Sequence, residues 1–342
     1  MTDAVLGPTV RDHAAAGGIA LVRGFLSSRP AFLGLAGAAG LWLVAAAVTG
    51  LWPDRAPHRL TADFAAAQAL FAVLLLASAA LGPRLGRLAG WLRRNVPWLA
   101  VLPVLLTLWQ IASAKTGWWP QPYFPPPQDL ADVYATDYAR LWSSVRHSLV
   151  LLTLGTGLGA LAGFLTGVAT GWSRGVGYWV HPVLRFIGPV PATALIPLVL
   201  FTFPGTFSAG IFLIALATWF PVTVLTWSGV ASVDSAYYDV ARTLGADRRF
   251  LLLRVAVPAS LPHVFVGLFM GLGNGISVLV VAEMLGVKDG LGYYLSWAQG
   301  WGAYGHLYAG LLLMALLFSA VTTLLFRTRD RLLAWQKGTV KW

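Results

Sequence analysis

The chain has 342 residues, of which 57 % are hydrophobic and 11 % are charged, and its mean hydropathy is +0.70. That composition excludes an ordinary water-soluble domain and is typical of a protein that crosses a membrane many times. The formal net charge is +11 and the chain has no cysteine, which excludes disulfides, thiolate metal sites and thiol redox chemistry.

Eight apolar stretches are long enough to cross a bilayer as helices. A spanning helix needs about 20 predominantly apolar residues, because the bilayer core offers no water to an open backbone. We therefore predict an all-α fold, a polytopic transmembrane helical bundle of about eight spans, without a cleavable signal peptide. The predicted spans are 31–52, 63–82, 98–114, 148–171, 180–203, 207–230, 263–285 and 306–326.

The distribution of basic residues predicts how these spans are oriented. Cytoplasmic loops carry an excess of Lys and Arg. If the spans alternate, 17 Lys and Arg residues lie on the side of both termini and 6 on the other side, with Arg185 inside a span. We therefore expect both termini in the cytoplasm. We attribute the basic charge to topology at the lipid bilayer and expect no nucleic acid as a partner.

The connection between the third and fourth predicted spans contains WWPQPYFPPPQDL, residues 118–130. This stretch is too rich in proline to be helical, and we expect an ordered crossing on the periplasmic side.

Two of the later spans carry glycines four residues apart, a spacing that lets helices approach closely. The first series is Gly159, Gly163, Gly167 and Gly171, and the second is Gly267, Gly271 and Gly275. The predicted fifth span instead contains several prolines, which predict a kink or break. Irregular backbone at membrane depth is tolerated only where it is buried in protein or faces a water-filled cavity. These prolines are Pro182, Pro189, Pro191 and Pro197.

The segment 232–262 is rich in arginine and lies between two apolar spans. Asp234 is a predicted N-cap for a helix that Gly245 ends in a left-handed conformation. Asp247 is a predicted N-cap for a second helix, which Pro258 is expected to end. We expect an exposed helix-turn-helix on the cytoplasmic face. An amphipathic loop whose arginines touch lipid headgroups is the alternative.

Polar side chains inside the spans are few, and such groups mark pathways for ions and solutes. Glu283, the only glutamate of the chain, suits either a packing or gating role or a contact with a solute. Arg185 suits either attraction of an anion or extension toward lipid headgroups. Asn274 and Ser277 suit either the lining of a pathway or hydrogen bonds between helices. We predict no catalytic or metal-binding residue, since no histidine has a ligand spacing such as HExxH.

The segment 232–262 resembles a known motif. Asp239-Val-Ala241, a glycine six residues after Asp239, and the later Val-Pro and Pro are similar to the EAA motif of ABC importer permeases, with Asp239 in place of Glu and Val240 in place of the first Ala. The resemblance implies coupling helices that sit in a groove of a separate ATPase subunit. The implied coupling residues are Asp239, Ala241, Gly245, Pro258 and Pro262.

Further stretches resemble, in order and spacing, the permeases of nitrate, sulfonate, taurine and bicarbonate importers. They are FPPPQDL, PVPATALIPLVL, VVAEMLG with GLGYYL, and LLAWQKG. The resemblance implies a six-span type I permease domain over residues 98–342, with the coupling segment inside it. Residues 1–97, a cytoplasmic arm and two further spans, are then an N-terminal extension.

The resemblance also implies partners and a location. We expect a multi-pass protein of the cell inner membrane that works with ABC ATPase subunits, a periplasmic or lipid-anchored substrate-binding protein and a second permease copy. The proline-rich crossing is then a candidate docking face for the binding protein, and the second glycine series a candidate for the pathway or for the interface between copies. The sequence has no GxxxxGK[ST] loop, so we expect no enzymatic activity or cofactor in this chain, with ATP and Mg²⁺ on the ATPase.

The expected function is ATP-driven, binding-protein-dependent import of a small anionic or organic solute, with Glu283, Asn274, Ser277 and Arg185 along the pathway. Import of a vitamin precursor, an aromatic acid or an amino acid by the same class of permease is the alternative. An ion-coupled secondary transporter is a more distant alternative. Such carriers use an ion site near mid-membrane, and no predicted span here has Asp or Glu at its centre.

Overall fold

The computed structural model describes residues 33–336, and within this range it contains helices and no strands. The described chain forms two compact units, one ending at Ala135 and one beginning at Thr136. Residues 97 and 98, between which the sequence predicts a domain boundary, lie in the helix Arg87–Lys115, and that boundary stays a prediction. The first unit contains α1 (Leu33–Leu51), α2 (Thr61–Leu81), α3 (Arg87–Lys115) and most of α4 (Pro127–Thr136).

The second unit contains eight further helices. They are α5 (Tyr138–Trp172), α6 (Arg174–Ile187), α7 (Ala192–Thr202), α8 (Thr206–Ala231), α9 (Ser235–Thr243), α10 (Arg248–Leu285), α11 (Leu291–Gly300) and α12 (Tyr304–Leu332).

The predicted spans are confirmed in number and order. Within residues 33–336, seven helices are long and apolar enough to cross a membrane, and the bent pair α6 and α7 supplies an eighth span if it counts as one. The structural helices begin several residues earlier than predicted at the third, fourth, fifth and seventh spans. Residues 31 and 32 of the first predicted span lie outside the described residues.

The first unit is built around an apolar core that α1, α2 and α3 share. Within it, the Trp42 indole Nε1 donates a hydrogen bond to the Leu99 carbonyl at 3.0 Å, which satisfies the polar atom of a buried indole. The two N-terminal spans therefore pack against α3 and do not stand apart from it.

Polar contacts tie the loop between α1 and α2 to residues further along this unit. Lys115 is buried in a π-helical turn at the end of α3, and its Nζ lies 2.7 Å from Asp54 Oδ1 and donates to the Thr49 carbonyl at 2.8 Å. His58 Nδ1 lies 2.7 Å from Asp129 Oδ1, and this hydrogen bond raises the pKa of His58 above its ordinary value. These contacts join the loop to the end of α3 and the start of α4.

The proline-rich stretch is only partly irregular. Residues 118–126 have no helix, as predicted, but the prediction is wrong for residues 127–130, where α4 begins. Pro127 opens α4, and proline suits a first helical position because its missing N–H has no helical partner there.

The second unit is organised around α8. The two glycine series lie on α5 and α10, and both face α8. A Cβ on Gly159 would lie 2.3 Å from the Ala215 carbonyl oxygen, and one on Gly271 would lie 3.0 Å from the Thr218 methyl carbon. The glycines thus allow three helices to approach closely within one subunit, which is one of the interpretations that the sequence left open.

The predicted break in the fifth span is confirmed. Helices α6 and α7 are bent by 82° relative to each other. Pro189 and Pro191 lie in the connection, where neither a helical N–H nor a helical φ/ψ is needed. Pro182 lies inside α6, and Pro197 lies in the first turn of the α-helical part of α7.

Helix α10 corrects one expectation about the segment 232–262. The helix capped by Asp247 does not end at Pro258 but continues to Leu285. The chain forms a π-helical turn over Leu251–Ala256 directly before Pro258, and such a turn changes the hydrogen-bond pattern where proline cannot donate. The helix can therefore pass Pro258 without ending.

Candidate functional sites

The segment between α8 and α10 forms the expected helix-turn-helix. Asp234 caps α9 by accepting a hydrogen bond from the Ala236 N–H at 2.9 Å. Gly245 ends that helix with φ +83°, and the neighbouring Ala246 N–H bonds back to the Ala241 carbonyl at 3.0 Å. Asp247 then caps α10 by accepting from the Phe250 N–H at 2.8 Å. Both caps and the left-handed glycine are confirmed, and together they fix the turn.

This helix-turn-helix exposes an apolar hollow of about 540 Å³. Ala241 and Gly245 lie on its wall, and their small size leaves the hollow open. Leu244 is 83 % exposed and Val240 is 62 % exposed. Exposed apolar side chains that lie together in this way are typical of an interaction surface. The hollow is lined by Tyr237, Val240, Ala241, Leu244, Gly245, Ala246 and Phe250.

The five residues predicted for coupling are not equally placed. Asp239 is exposed on α9 and forms an ion pair with Arg242 at 3.3 Å. Pro258 and Pro262 lie within α10 and do not line the hollow. Tyr237, Val240 and Leu244 also line the hollow but were not predicted as coupling residues. Their spacing of three and four residues is that of one helix face.

Two adjacent cavities lie where the chain breaks between α6 and α7. One has a volume of about 250 Å³, and Asn274 and Ser277 of α10 lie on its wall. The other has a volume of about 490 Å³ and is lined in part by His181, Arg185 and Trp227. Gly188 and Phe220 line both cavities.

The structure therefore places three of the four residues predicted for a pathway on the walls of these two neighbouring cavities. Arg185 is exposed in one cavity, and Asn274 and Ser277 are exposed in the other. A Cβ on Gly188 would lie 2.7 Å from the Phe220 ring, so the boundary between the cavities depends on a glycine. Aromatic walls, one guanidinium and two uncharged polar groups can accommodate a small polar or anionic solute.

Glu283, the fourth predicted residue, has a different environment. It is 1 % exposed, and its Oε1 accepts from the Ser148 hydroxyl at 2.7 Å while its Oε2 accepts from the Gly292 N–H at 2.8 Å. Ser148 Oγ also accepts from the Leu291 N–H at 2.8 Å. The carboxylate thus holds the N-terminus of α11, where a helix favours negative charge. This geometry supports the packing role, and a role on the pathway stays a prediction.

A second feature of this region is the conformation of Gly290. Its φ is +102°, and a Cβ there would lie 2.1 Å from Glu283 Oε1. Only glycine lets the backbone turn beside the carboxylate and start α11. The helix that follows Gly290 was not predicted from the sequence.

Comparison with known proteins gives the family. Residues 155–335 match the model of the family described as "binding-protein-dependent transport system inner membrane component". The chain belongs to this family. It is therefore a multi-pass inner-membrane permease of an ABC importer, whose ATPase is a separate subunit and whose partners include that ATPase and a substrate-binding protein.

Individual relatives are also transport permeases. The permease is 32 % identical over 244 residues to the taurine transport system permease protein TauC of Escherichia coli, covering 69 % of this chain and 88 % of the relative. It is 28 % identical over 261 residues to the nitrate import permease protein NrtB of Synechococcus elongatus, covering 71 % and 89 %. It is 33 % identical over 206 residues to the putative aliphatic sulfonates transport permease protein SsuC of E. coli, covering 59 % and 77 %.

Proposed function

We propose that the permease imports a small anionic or organic solute of the nitrate, sulfonate, taurine or bicarbonate type. The names of the relatives support this class of solute. The cavity around Arg185 supports it as well, since one exposed guanidinium among aromatic walls suits an anion that also carries an apolar part. The solute passes along the two cavities at the break between α6 and α7.

We also propose that the permease works as a homodimer without enzymatic activity of its own, and that ATP and Mg²⁺ bind only to the separate ATPase. The absence of a GxxxxGK[ST] loop from the sequence supports this division of labour. A second copy provides the wall that one subunit leaves open at exposed Asn274 and Ser277.

The observation that carries the proposal is the apolar hollow between α9 and the start of α10. We infer that this hollow receives the ATPase and transmits its movement to the spans through α10. Exposed Val240 and Leu244 supply apolar contact area, while Ala241 and Gly245 leave room for the partner. Asp239, Pro258 and Pro262 then act by shaping the segment.

The proposal is tested by ATP-driven uptake in proteoliposomes that contain the permease, its ATPase and the binding protein. Ala241→Glu places a charge in the hollow and should abolish uptake, because an unpaired charge is costly in an apolar interface. Ala236→Glu is the matched control, since Ala236 is on the same helix but does not line the hollow. Uptake at the wild-type rate in Ala241→Glu would contradict the proposed coupling.

The solute class needs its own test. Arg185→Gln should lower uptake of taurine, nitrate or sulfonate by about tenfold if the guanidinium attracts the anion in the cavity. Arg174→Gln, at the exposed start of the same helix, should leave uptake unchanged. Equal uptake by both variants would contradict a role for Arg185 on the pathway. That result would not bear on the proposed coupling through the hollow.

A further inference from the structure

The start of α3 carries a basic hollow whose residues belong neither to the proposed pathway nor to the coupling segment. Its volume is about 720 Å³, and its lining residues are Arg87, Leu88, Gly90, Trp91 and Arg94. On a helix with 3.6 residues per turn, positions 87, 91, 94 and 98 share one face. Arginine and tryptophan therefore alternate along this face, since Trp98 follows Arg94 one turn later.

The positive charge of this region is not compensated by acidic residues nearby. Four arginines lie between residues 84 and 94, and the sequence contains no Asp or Glu between Asp63 and Asp129. Within residues 33–336, none of the ion pairs includes Arg87 or Arg94. Both side chains are exposed. They are thus available for an anion from outside the subunit.

The shape of the hollow depends on Gly90. A Cβ at this position would meet no atom within 4 Å, so the glycine is not required for packing inside the unit. The opposite face of α3 is packed, since Leu92 and Leu99 belong to the core shared with α1 and α2. The hollow is therefore an outward-facing recess between two guanidinium groups on a fixed helix.

The same face continues as an apolar track along the spanning part of α3. Trp98 is 73 % exposed and Leu105 is 57 % exposed. Both residues follow the two arginines along this face of α3. Tryptophan is enriched where headgroups meet the hydrocarbon region. The face therefore presents cationic groups at one end and exposed apolar side chains at the other.

We propose that this face is a binding site for an anionic phospholipid, with the headgroup phosphate between Arg87 and Arg94 and the acyl chains along Trp98 and Leu105. A guanidinium binds a phosphate through paired, charge-assisted hydrogen bonds. Basic clusters at the end of a spanning helix attract anionic lipids. The apolar track favours a lipid over free phosphate, which has no acyl chains. The site anchors α3, and with it the core that α3 shares with α1 and α2, to an anionic lipid.

The test is native mass spectrometry of the permease–ATPase complex in mild detergent with added phosphatidylglycerol or phosphatidylcholine. Phosphatidylglycerol should be retained by the wild type in preference to phosphatidylcholine. Arg87→Gln/Arg94→Gln should weaken this retention about 25-fold, at about fivefold for each arginine. Arg84→Gln/Arg93→Gln removes the same charge outside the hollow and should weaken the retention by a clearly smaller factor, because neither side chain lines the hollow.

Other results would overturn the proposal. Equal losses in the two double variants would mean that only diffuse surface charge attracts the lipid. Displacement of phosphatidylglycerol by excess inorganic phosphate would make free phosphate the ligand. If Arg87→Gln/Arg94→Gln does not assemble, Gly90→Leu fills the hollow with all four arginines in place, and retention of phosphatidylglycerol by that variant would also contradict the site.

Discussion

Helix α10 carries polar residues in two regions that differ in how their polar atoms are used. Near one end, both oxygens of the Glu283 carboxylate accept hydrogen bonds from the same subunit and the side chain is buried. Roughly two turns earlier, Asn274 and Ser277 are exposed at a cavity, and the Ser277 hydroxyl donates to the Gly273 carbonyl of its own helix. A polar residue in a span thus indicates a pathway only when its own subunit leaves it free to meet a solute.

The largest effect is expected from Glu283→Ala. The substitution leaves the Ser148 hydroxyl and the Gly292 N–H without their acceptor, which should lower the free energy of unfolding by about 3 kcal/mol. Denaturant unfolding of the purified permease in detergent measures this loss. Glu283→Gln keeps one acceptor oxygen and should lose less. Wild-type stability combined with altered solute selectivity would instead place Glu283 on the pathway.

Two glycines of α10 allow its packed face to be compared with its exposed face. Gly271→Leu should lower the free energy of unfolding by about 2 kcal/mol, because the new side chain meets Thr218 of α8. At Gly273 an added Cβ meets no atom within 4 Å, so Gly273→Leu should spare stability in the same unfolding assay. If both substitutions destabilise equally, α10 has no open face in the assembled protein as purified.

Asn274→Ala should have the opposite pattern to Glu283→Ala. Because Asn274 is exposed at the cavity, its loss should change the free energy of unfolding by less than about 0.5 kcal/mol. Loss of one hydrogen bond to a passing solute is worth about 1 kcal/mol, so uptake should fall about fivefold. Parallel unfolding and proteoliposome uptake measurements separate the two effects, and a stability loss without a transport loss would contradict the assignment.

The smallest expected effect is a pH dependence in the first unit. The hydrogen bond to Asp129 raises the pKa of His58, so protonated His58 is favoured in the folded state. Its stabilisation is fully present below the unfolded pKa of about 6.5 and is lost as the pH rises through the raised folded pKa. Thermal unfolding should therefore show slightly higher stability at pH 6 than at pH 8, by at most about 1 kcal/mol. Asp129→Asn should remove the difference.

Much of the fold could be predicted from the sequence because it depends on local properties. The spans follow from apolar length, and the break between α6 and α7 follows from its prolines. The caps at Asp234 and Asp247 and the left-handed Gly245 follow from residue preferences within a few positions. These features do not depend on which helices become neighbours.

Other features depend on contacts between distant residues and could not be predicted. The bond between Ser148 and Glu283 joins positions 135 residues apart, so the sequence could not show that the carboxylate is occupied. The glycine series predicted close approach, but not that α5 and α10 both approach α8. The continuation of α10 past Pro258 depends on a π-helical turn, which proline rules alone do not predict.

Site-directed cross-linking at α9 tests most directly whether the apolar hollow binds the ATPase. The sequence has no cysteine, so one introduced thiol is unique. Leu244→Cys and Ala236→Cys would be compared in native membranes with a short thiol-to-amine cross-linker, followed by mass spectrometry of the products. We expect that Leu244→Cys, in the hollow, cross-links to the ABC ATPase subunit and that Ala236→Cys does not. Cross-linking of the ATPase from Ala236→Cys but not from Leu244→Cys would contradict the proposed coupling surface.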